Sequence, residues 1–116
     1  MAPESGQVYF ALVEGAEPRR VIVVSRGEFN RGRYALVVPL TSQRFEMRSH
    51  LPNCVPIRAG EFGCSEDCVA QAEAMTLVEH SDLDLVRGPL ATLDSDHMRD
   101  LIRAIGYVIC ADCEPC

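Results

Sequence analysis

The sequence lacks the features that mark secreted and membrane-bound proteins. Its 116 residues contain no apolar run close to the ~20 residues that a transmembrane helix requires. The N-terminal segment, Met1–Gln7, has neither the positive charge nor the apolar stretch of a secretory signal. We therefore expect a soluble, cytoplasmic protein that folds as a single domain over residues 1–116, a length sufficient to bury a hydrophobic core.

The chain also has no lysine, since all 11 of its basic residues are arginines. A guanidinium donates two parallel N–H groups to phosphate oxygens and keeps its charge, although a coding bias toward arginine gives the same composition. The net charge is −6, but residues 1–60 hold eight arginines and five glutamates, a local balance of 8 − 5 = +3. Because binding of a charged partner depends on the local electrostatic field, the negative net charge does not exclude a nucleic-acid partner.

Six cysteines in a cytoplasmic chain are not expected to form structural disulfides. Cys64 and Cys68, and the C-x-x-C-x-x-C pattern of the tail 110–116, have spacings that zinc thiolate sites use. The paired C-x-x-C knuckles of a zinc ribbon are absent. We therefore predict free thiols, no metal site and no cofactor, with a zinc- or redox-sensing role of the tail as the alternative.

Short apolar runs bounded by turn residues predict a chain built mainly of β-strands. The predicted strands are Gln7–Val13, Val21–Ser25, Arg33–Thr41 and Asn53–Ile57. The polar segment Arg44–Leu51 predicts an irregular, mobile loop. Cys68–Val78 fits a helix by composition and a strand by alternation, so periodicity leaves both structures open.

The C-terminal part predicts one amphipathic helix. Apolar side chains recur there at helical spacing, namely Met98, Leu101, Ile102, Ile105, Val108 and Ile109. Asp94 or Ser95 can cap the N-terminus of this helix. Short strands with closely spaced turns, followed by one helix, favour a mainly β fold, a small barrel on which the helix packs.

Polar residues flank two neighbouring predicted strands. Arg19 and Arg20 precede the second strand, and Thr41-Ser42-Gln43 end the third. In an antiparallel pair the start of one strand lies near the end of the other, so Arg19 and Thr41 can share one rim of the sheet. A fixed guanidinium beside a hydroxyl suits a phosphate. A hairpin with solvated ends is the alternative interpretation.

Eight segments resemble the PemK/MazF family of toxin endoribonucleases in order and spacing. They are Gly6–Phe10, Arg19–Ser25, Phe29–Arg31, Val37–Gln43, Asn53–Ile57, Ala59–Gly63, Asp67–Glu73 and Thr92–Met98. The resemblance implies an SH3-like small β-barrel of the PemK/CcdB toxin type with one C-terminal helix, assembled as a homodimer. It also implies metal-free cleavage of single-stranded RNA, neutralisation by a cognate antitoxin, DNA binding through the antitoxin complex, and a strand at Cys68–Val78.

The resemblance implies roles for individual residues. Arg19 matches the family's catalytic arginine, and Thr41 matches its catalytic threonine or serine. Glu73 stands where many members carry an acidic active-site residue, which makes it the candidate base or orienting group. Three further residues are expected to contact substrate: Arg20, Ser42 and Gln43.

The chain departs from the family pattern at several positions. The loop before Arg19 is short, Arg20 replaces a common proline, Gln71 stands at the position of a second arginine, and Ala74 replaces a common glutamine. One alternative is therefore a catalytically weakened RNA- or antitoxin-binding module of the same fold. Another is a gyrase-poisoning toxin, but such toxins depend on a C-terminal tryptophan, and this chain has no tryptophan.

Overall fold

The computed structural model describes residues 2–12 and 17–109. Within these ranges seven antiparallel strands form one sheet that curls into a half-barrel. The strands are β1 (Gln7–Ala11), β2 (Arg19–Val23), β3 (Tyr34–Thr41), β4 (Cys54–Ile57), β5 (Cys68–Gln71), β6 (Thr76–Glu79) and β7 (Ala91–Thr92); the helices are α1 (Phe45–Arg48) and α2 (Ser95–Ile109). The sheet order is β4-β5-β3-β2-β1-β7, with β6 paired to β3. The predicted fold class, mainly β with one C-terminal helix, is confirmed.

The four predicted strands are confirmed, with one shift that matters for function. Instead of starting at Val21, β2 starts at Arg19 because Arg19 and Arg20 pair with Ala11 and Phe10 of β1. Both arginines therefore belong to the strand, and its backbone fixes the directions of their side chains. The predicted end of β1, Val13, lies outside the described residues.

The predicted C-terminal helix is confirmed as α2. Asp94 is its N-cap, because its carboxylate accepts a hydrogen bond of 2.8 Å from the backbone N–H of His97. This bond, with further bonds from His97, lowers the pKa of Asp94. No helix within residues 2–12 and 17–109 is long and apolar enough to cross a membrane. The tail 110–116 lies outside the described residues.

The expectation of one continuous strand over Cys68–Val78 is wrong. The segment forms β5, a 3-10 turn at Ala72–Ala74, and β6. Both strands pair with β3, but in different registers, as the pairs Val37–Thr76 and Leu40–Ala70 show. Three steps along β3 (40 − 37) thus match six steps along its partner (76 − 70). The turn accommodates the extra residues and interrupts the ladder.

The segment Arg44–Leu51 is also more regular than predicted, since it contains the single turn of α1. Backbone N–H groups of Arg48 and Ser49 donate to the carbonyls of Arg44 and Phe45 at 2.9 and 2.8 Å. Arg44 begins the turn in the left-handed region, with φ of 54°. The sequence does not predict this turn because it is too short to produce an apolar stripe and its segment is polar.

Alternating side chains along the strands form two hydrophobic cores. Val8, Ile22 and Val38 belong to the core that also contains Leu101 and Ala104 of α2. Their neighbours along the same strands form the second core, which includes Tyr9, Val21, Val23, Val37 and Leu83. Because both faces of β1, β2 and β3 are covered, a shift of one residue in their pairing would move every buried side chain to the wrong face.

Asn30 is the one fully buried polar residue of the described chain, with an exposed fraction of 0%. Its Nδ2 donates to the carbonyls of Pro3 and Ser25 at 2.8 and 2.9 Å. Its Oδ1 accepts a bond from the Ser25 hydroxyl, which itself accepts from the N–H of Leu36. Asn30 therefore ties the N-terminal segment to the connection between β2 and β3.

We expect Asn30→Ala to lower the free energy of unfolding by about 2–3 kcal/mol, because it leaves buried carbonyl groups without donors. Asn30→Asp, which keeps the shape but replaces the donating amide by an acceptor, should be at least as damaging near neutral pH. Equilibrium urea unfolding of both variants measures the effect. Wild-type stability in Asn30→Asp would show that the amide hydrogen bonds do not hold this turn.

Candidate active site

An open pocket of about 450 Å³ lies at the end of the sheet where β2 begins and β3 finishes. Three segments line it: the start of β2, the end of β3, and the connection between β4 and β5. The lining residues are Glu17, Pro18, Arg19, Arg20, Leu40, Thr41, Ser42, Gln43, Ser65, Glu66 and Cys68. Five of the six predicted site residues are therefore brought together in one concavity.

The strand register explains why Arg19 and Thr41 line the same pocket. β2 and β3 pair through Val21–Pro39, Ile22–Val38 and Val23–Val37. Continuing that register by two residues sets Arg19 opposite Thr41. Directly opposed residues of an antiparallel pair carry their side chains on the same face, with Cβ atoms about 4.5–5.5 Å apart. The guanidinium and the hydroxyl therefore start from neighbouring positions on one face.

The Thr41 hydroxyl is oriented by the backbone that follows it. The N–H of Gln43 donates to Thr41 Oγ1 at 3.2 Å. Since the oxygen accepts this bond, the hydroxyl proton is left to donate to a ligand in the pocket. The turn that orients Thr41 also places Ser42 and Gln43 on the pocket wall.

Arg20 is half-buried at the edge of the same pocket. Its guanidinium carbon lies 5.1 Å from the centre of the Phe10 ring, and that of Arg87 lies 4.7 Å from the same ring. The Nε atom of Arg20 is buried and has no hydrogen-bond partner among the described residues. A buried donor without an acceptor costs free energy.

The opposite wall comes from the connection before β5. The thiol of Cys68 donates to the carbonyl of Glu66 at 3.3 Å. Burial, with the neighbouring Cys68, raises the pKa of the Cys64 thiol to about 11. Cys64 therefore stays protonated at neutral pH, and a protonated thiol is a poor nucleophile and a poor metal ligand. These two cysteines belong to the hydrophobic core beneath the pocket.

Glu73 is the predicted site residue that does not line the pocket. It lies in the 3-10 turn between β5 and β6, where its side chain is exposed. Its carboxylate accepts hydrogen bonds from Asn53 Nδ2 at 2.8 Å and from Gln71 Nε2 at 3.2 Å. The structure thus groups Glu73 with two amides on the surface, and none of these three residues lines the pocket.

Possible metal ligands do not converge in the described chain. No group of three or more histidine, cysteine or acidic side chains is placed to hold a metal ion within residues 2–12 and 17–109. The cysteines at 110, 113 and 116 lie outside these ranges.

Sequence reasoning missed Glu17 and the opposite wall, Ser65 and Glu66. These residues lie in polar segments with no periodic pattern. Ser65 and Glu66 reach the pocket because β5 pairs with β3 through Leu40–Ala70 and Thr41–Val69. The acidic turn before β5 was the available signal, but its place on the surface depends on this long-range pairing.

The fold is shared with known toxin structures. A mycobacterial endoribonuclease in complex with its cognate antitoxin superposes with a TM-score of 0.78 at 19% identity, over 98% of this chain and 100% of that chain. The Mycobacterium tuberculosis toxin MazF-mt6 gives a TM-score of 0.72 at 18% identity, over 88% and 94% of the two chains. Deinococcus radiodurans MazE-MazF gives 0.74 at 18% identity, over 95% and 97%.

No curated protein sequence matches the chain. The family model of PemK-like, MazF-like toxins of type II toxin-antitoxin systems matches residues 4–109. That span contains all seven strands of the described sheet, the pocket and α2. The chain therefore belongs to the family of PemK-like, MazF-like toxins of type II toxin-antitoxin systems.

Proposed function

We propose that this protein is a toxin endoribonuclease that cleaves single-stranded RNA without a metal ion. The observation that carries the proposal is that Arg19, at the start of β2, and Thr41, at the end of β3, line the same open pocket. One charged donor and one neutral donor on the same face match the oxygens of a phosphodiester. Arg20 adds a second guanidinium to the same pocket.

The proposed reaction uses the nucleophile that RNA itself supplies. The ribose 2′-hydroxyl loses its proton to a base and forms a bond to the adjacent phosphorus, while the bond from phosphorus to the 5′-oxygen breaks. The leaving 5′-oxygen takes up a proton, which gives a 2′,3′-cyclic phosphate and a 5′-hydroxyl. Arg19 stabilises the charge that develops on the phosphorane, and Thr41 donates to a non-bridging oxygen.

Ser42 and Gln43 contact the substrate beside the scissile phosphate in this proposal, because both line the pocket directly after Thr41. Glu73 serves as an orienting group or as the base. Its two amide partners hold the carboxylate outside the pocket, which favours the orienting role. A general base must come within hydrogen-bond reach of the proton that it removes.

The proposal also includes two protein partners: a cognate antitoxin that neutralises the toxin, and a second copy of the chain with which it forms a homodimer. Among structures of the same fold, one contains an endoribonuclease with its cognate antitoxin and another contains MazE with MazF. In this chain Ile102 and Ile109 of α2 are 63% and 68% exposed, which gives α2 an apolar outer surface for a protein partner. DNA binding belongs to the toxin–antitoxin complex, and the site of action is the cytoplasm.

We expect the wild-type protein to cleave a long mixed-sequence RNA in EDTA, and Arg19→Ala to lower the cleavage rate by about 10²–10³-fold. The loss follows from removing the positive charge opposite Thr41. Mapping of the cleaved ends measures position and end chemistry together.

Arg99→Ala is the matched control for that experiment, since it removes one exposed arginine whose 3.5 Å contact to Asp96 lies on α2. Cleavage by this control should equal that of the wild type. RNA binding without cleavage by the wild-type protein would instead support the weakened binding module. Cleavage that needs an added metal would contradict the proposed chemistry.

Thr41→Val should lower kcat by about 10²-fold without changing the thermal unfolding midpoint, because it removes the hydroxyl and keeps the shape of the side chain. Thr41→Ser restores the hydroxyl and should recover most of the rate. Single-turnover cleavage and a melting curve for each variant provide the measurements. A wild-type rate in Thr41→Val together with a loss in Thr41→Ser would mean that the methyl group, and not the hydroxyl, is required.

Glu73→Gln distinguishes an orienting carboxylate from a base. Because Glu73 lies outside the pocket, we expect a rise in KM and a loss of less than about tenfold in kcat. Steady-state kinetics over a range of pH measures both constants. A loss of 10²-fold or more in kcat, with the acid limb of the pH profile removed, would identify Glu73 as the general base.

A further inference from the structure

The walls of the pocket carry opposite charges that do not neutralise each other. Arg19 and Arg20 stand on one side, and the exposed Glu66 stands on the side formed by the β4–β5 connection. Among the ion pairs of the described residues, none involves either arginine or Glu66. Both kinds of charge therefore remain open to one ligand.

A single nucleotide of RNA can bind the arginines of one wall and the carboxylate of the other at the same time. Its phosphate accepts from the guanidinium groups, and the Watson–Crick edge of its base carries N–H donors for a carboxylate. A carboxylate repels phosphate, so Glu66 faces the base and not the backbone. The pocket volume of about 450 Å³ lies within the range of about 300–1,000 Å³ typical of small-molecule sites.

We propose that Glu66 is a specificity-determining residue that selects guanine next to the cleaved phosphate. This inference rests on the proposed endoribonuclease function. Guanine alone among the four RNA bases presents two adjacent donors, N1–H and N2–H, on its Watson–Crick edge, and these match the two oxygens of a carboxylate. Uracil presents a single N–H between two carbonyl acceptors, which the carboxylate repels.

We assign this role to Glu66 and not to Glu17 because a hydrogen bond holds the backbone of Glu66. The carbonyl of Glu66 accepts the Cys68 thiol at 3.3 Å, and Cys68 is the first residue of β5, 6% exposed. Glu66 therefore lies two residues before β5, and β5 pairs with β3 at Thr41. Glu17 precedes β2 without a comparable tie in the described chain, which makes it the matched control for charge.

The first experiment compares cleavage of RNAs that differ only in guanine or inosine at the preferred position. Inosine lacks the 2-amino group, so wild-type kcat/KM should fall by about tenfold. In Glu66→Gln the guanine-to-inosine ratio should fall to near one. In Glu17→Gln the ratio should stay at the wild-type value, although the same charge is removed from the same pocket.

A second experiment separates this inference from the nuclease proposal. Uncleavable 2′-O-methyl oligonucleotides with each of the four bases at one position report binding alone. Guanine preference that disappears in Glu66→Gln supports base selection even if the wild type cleaves no RNA, in which case only the nuclease proposal fails. Equal binding of all four bases, or a preference unchanged by Glu66→Gln, overturns the role of Glu66.

Discussion

The antiparallel register between β2 and β3 is the constraint on which the rest of the molecule depends. It places Ile22 with Val38 in one core and Val21, Val23 and Val37 in the other. The same register, continued to the end of the strands, sets Arg19 opposite Thr41. A slip of one residue would exchange the side chains that fill the two cores, so the packing of the cores fixes the geometry of the site.

The break between β5 and β6 also affects the site. Its 3-10 turn lets one segment pair with β3 in two registers, and it displaces Glu73 onto the surface beside Asn53. The β5 register, in turn, brings the connection before β5 to the end of β3. The 3-10 turn thus leaves Glu73 outside the pocket, whereas the pairing of β5 with β3 places Glu66 on the pocket wall.

The pocket is notable for the polar groups that it leaves without partners. The buried Nε of Arg20 has no acceptor among the described residues, and the guanidinium groups and Glu66 form no ion pairs there. Outside the pocket, four hydrogen bonds surround the buried Asn30, while the buried Nε2 of His80 has no partner among the described residues. Charged groups that form no ion pair at one concave surface are expected where a ligand supplies their partners.

The sequence by itself determined the mainly β fold and the extent of β3 and α2, and it allowed Arg19 and Thr41 to share one rim of the sheet. These features depend on local alternation, on helical spacing and on the pairing of strands adjacent in sequence. Only the tertiary structure decided the start of β2, the division of Cys68–Val78, and the positions of Glu66 and Glu73. The start of β2 depends on its pairing with β1. The other features depend on pairing between strands distant in the chain, where the register follows from packing and turn geometry that no local pattern encodes.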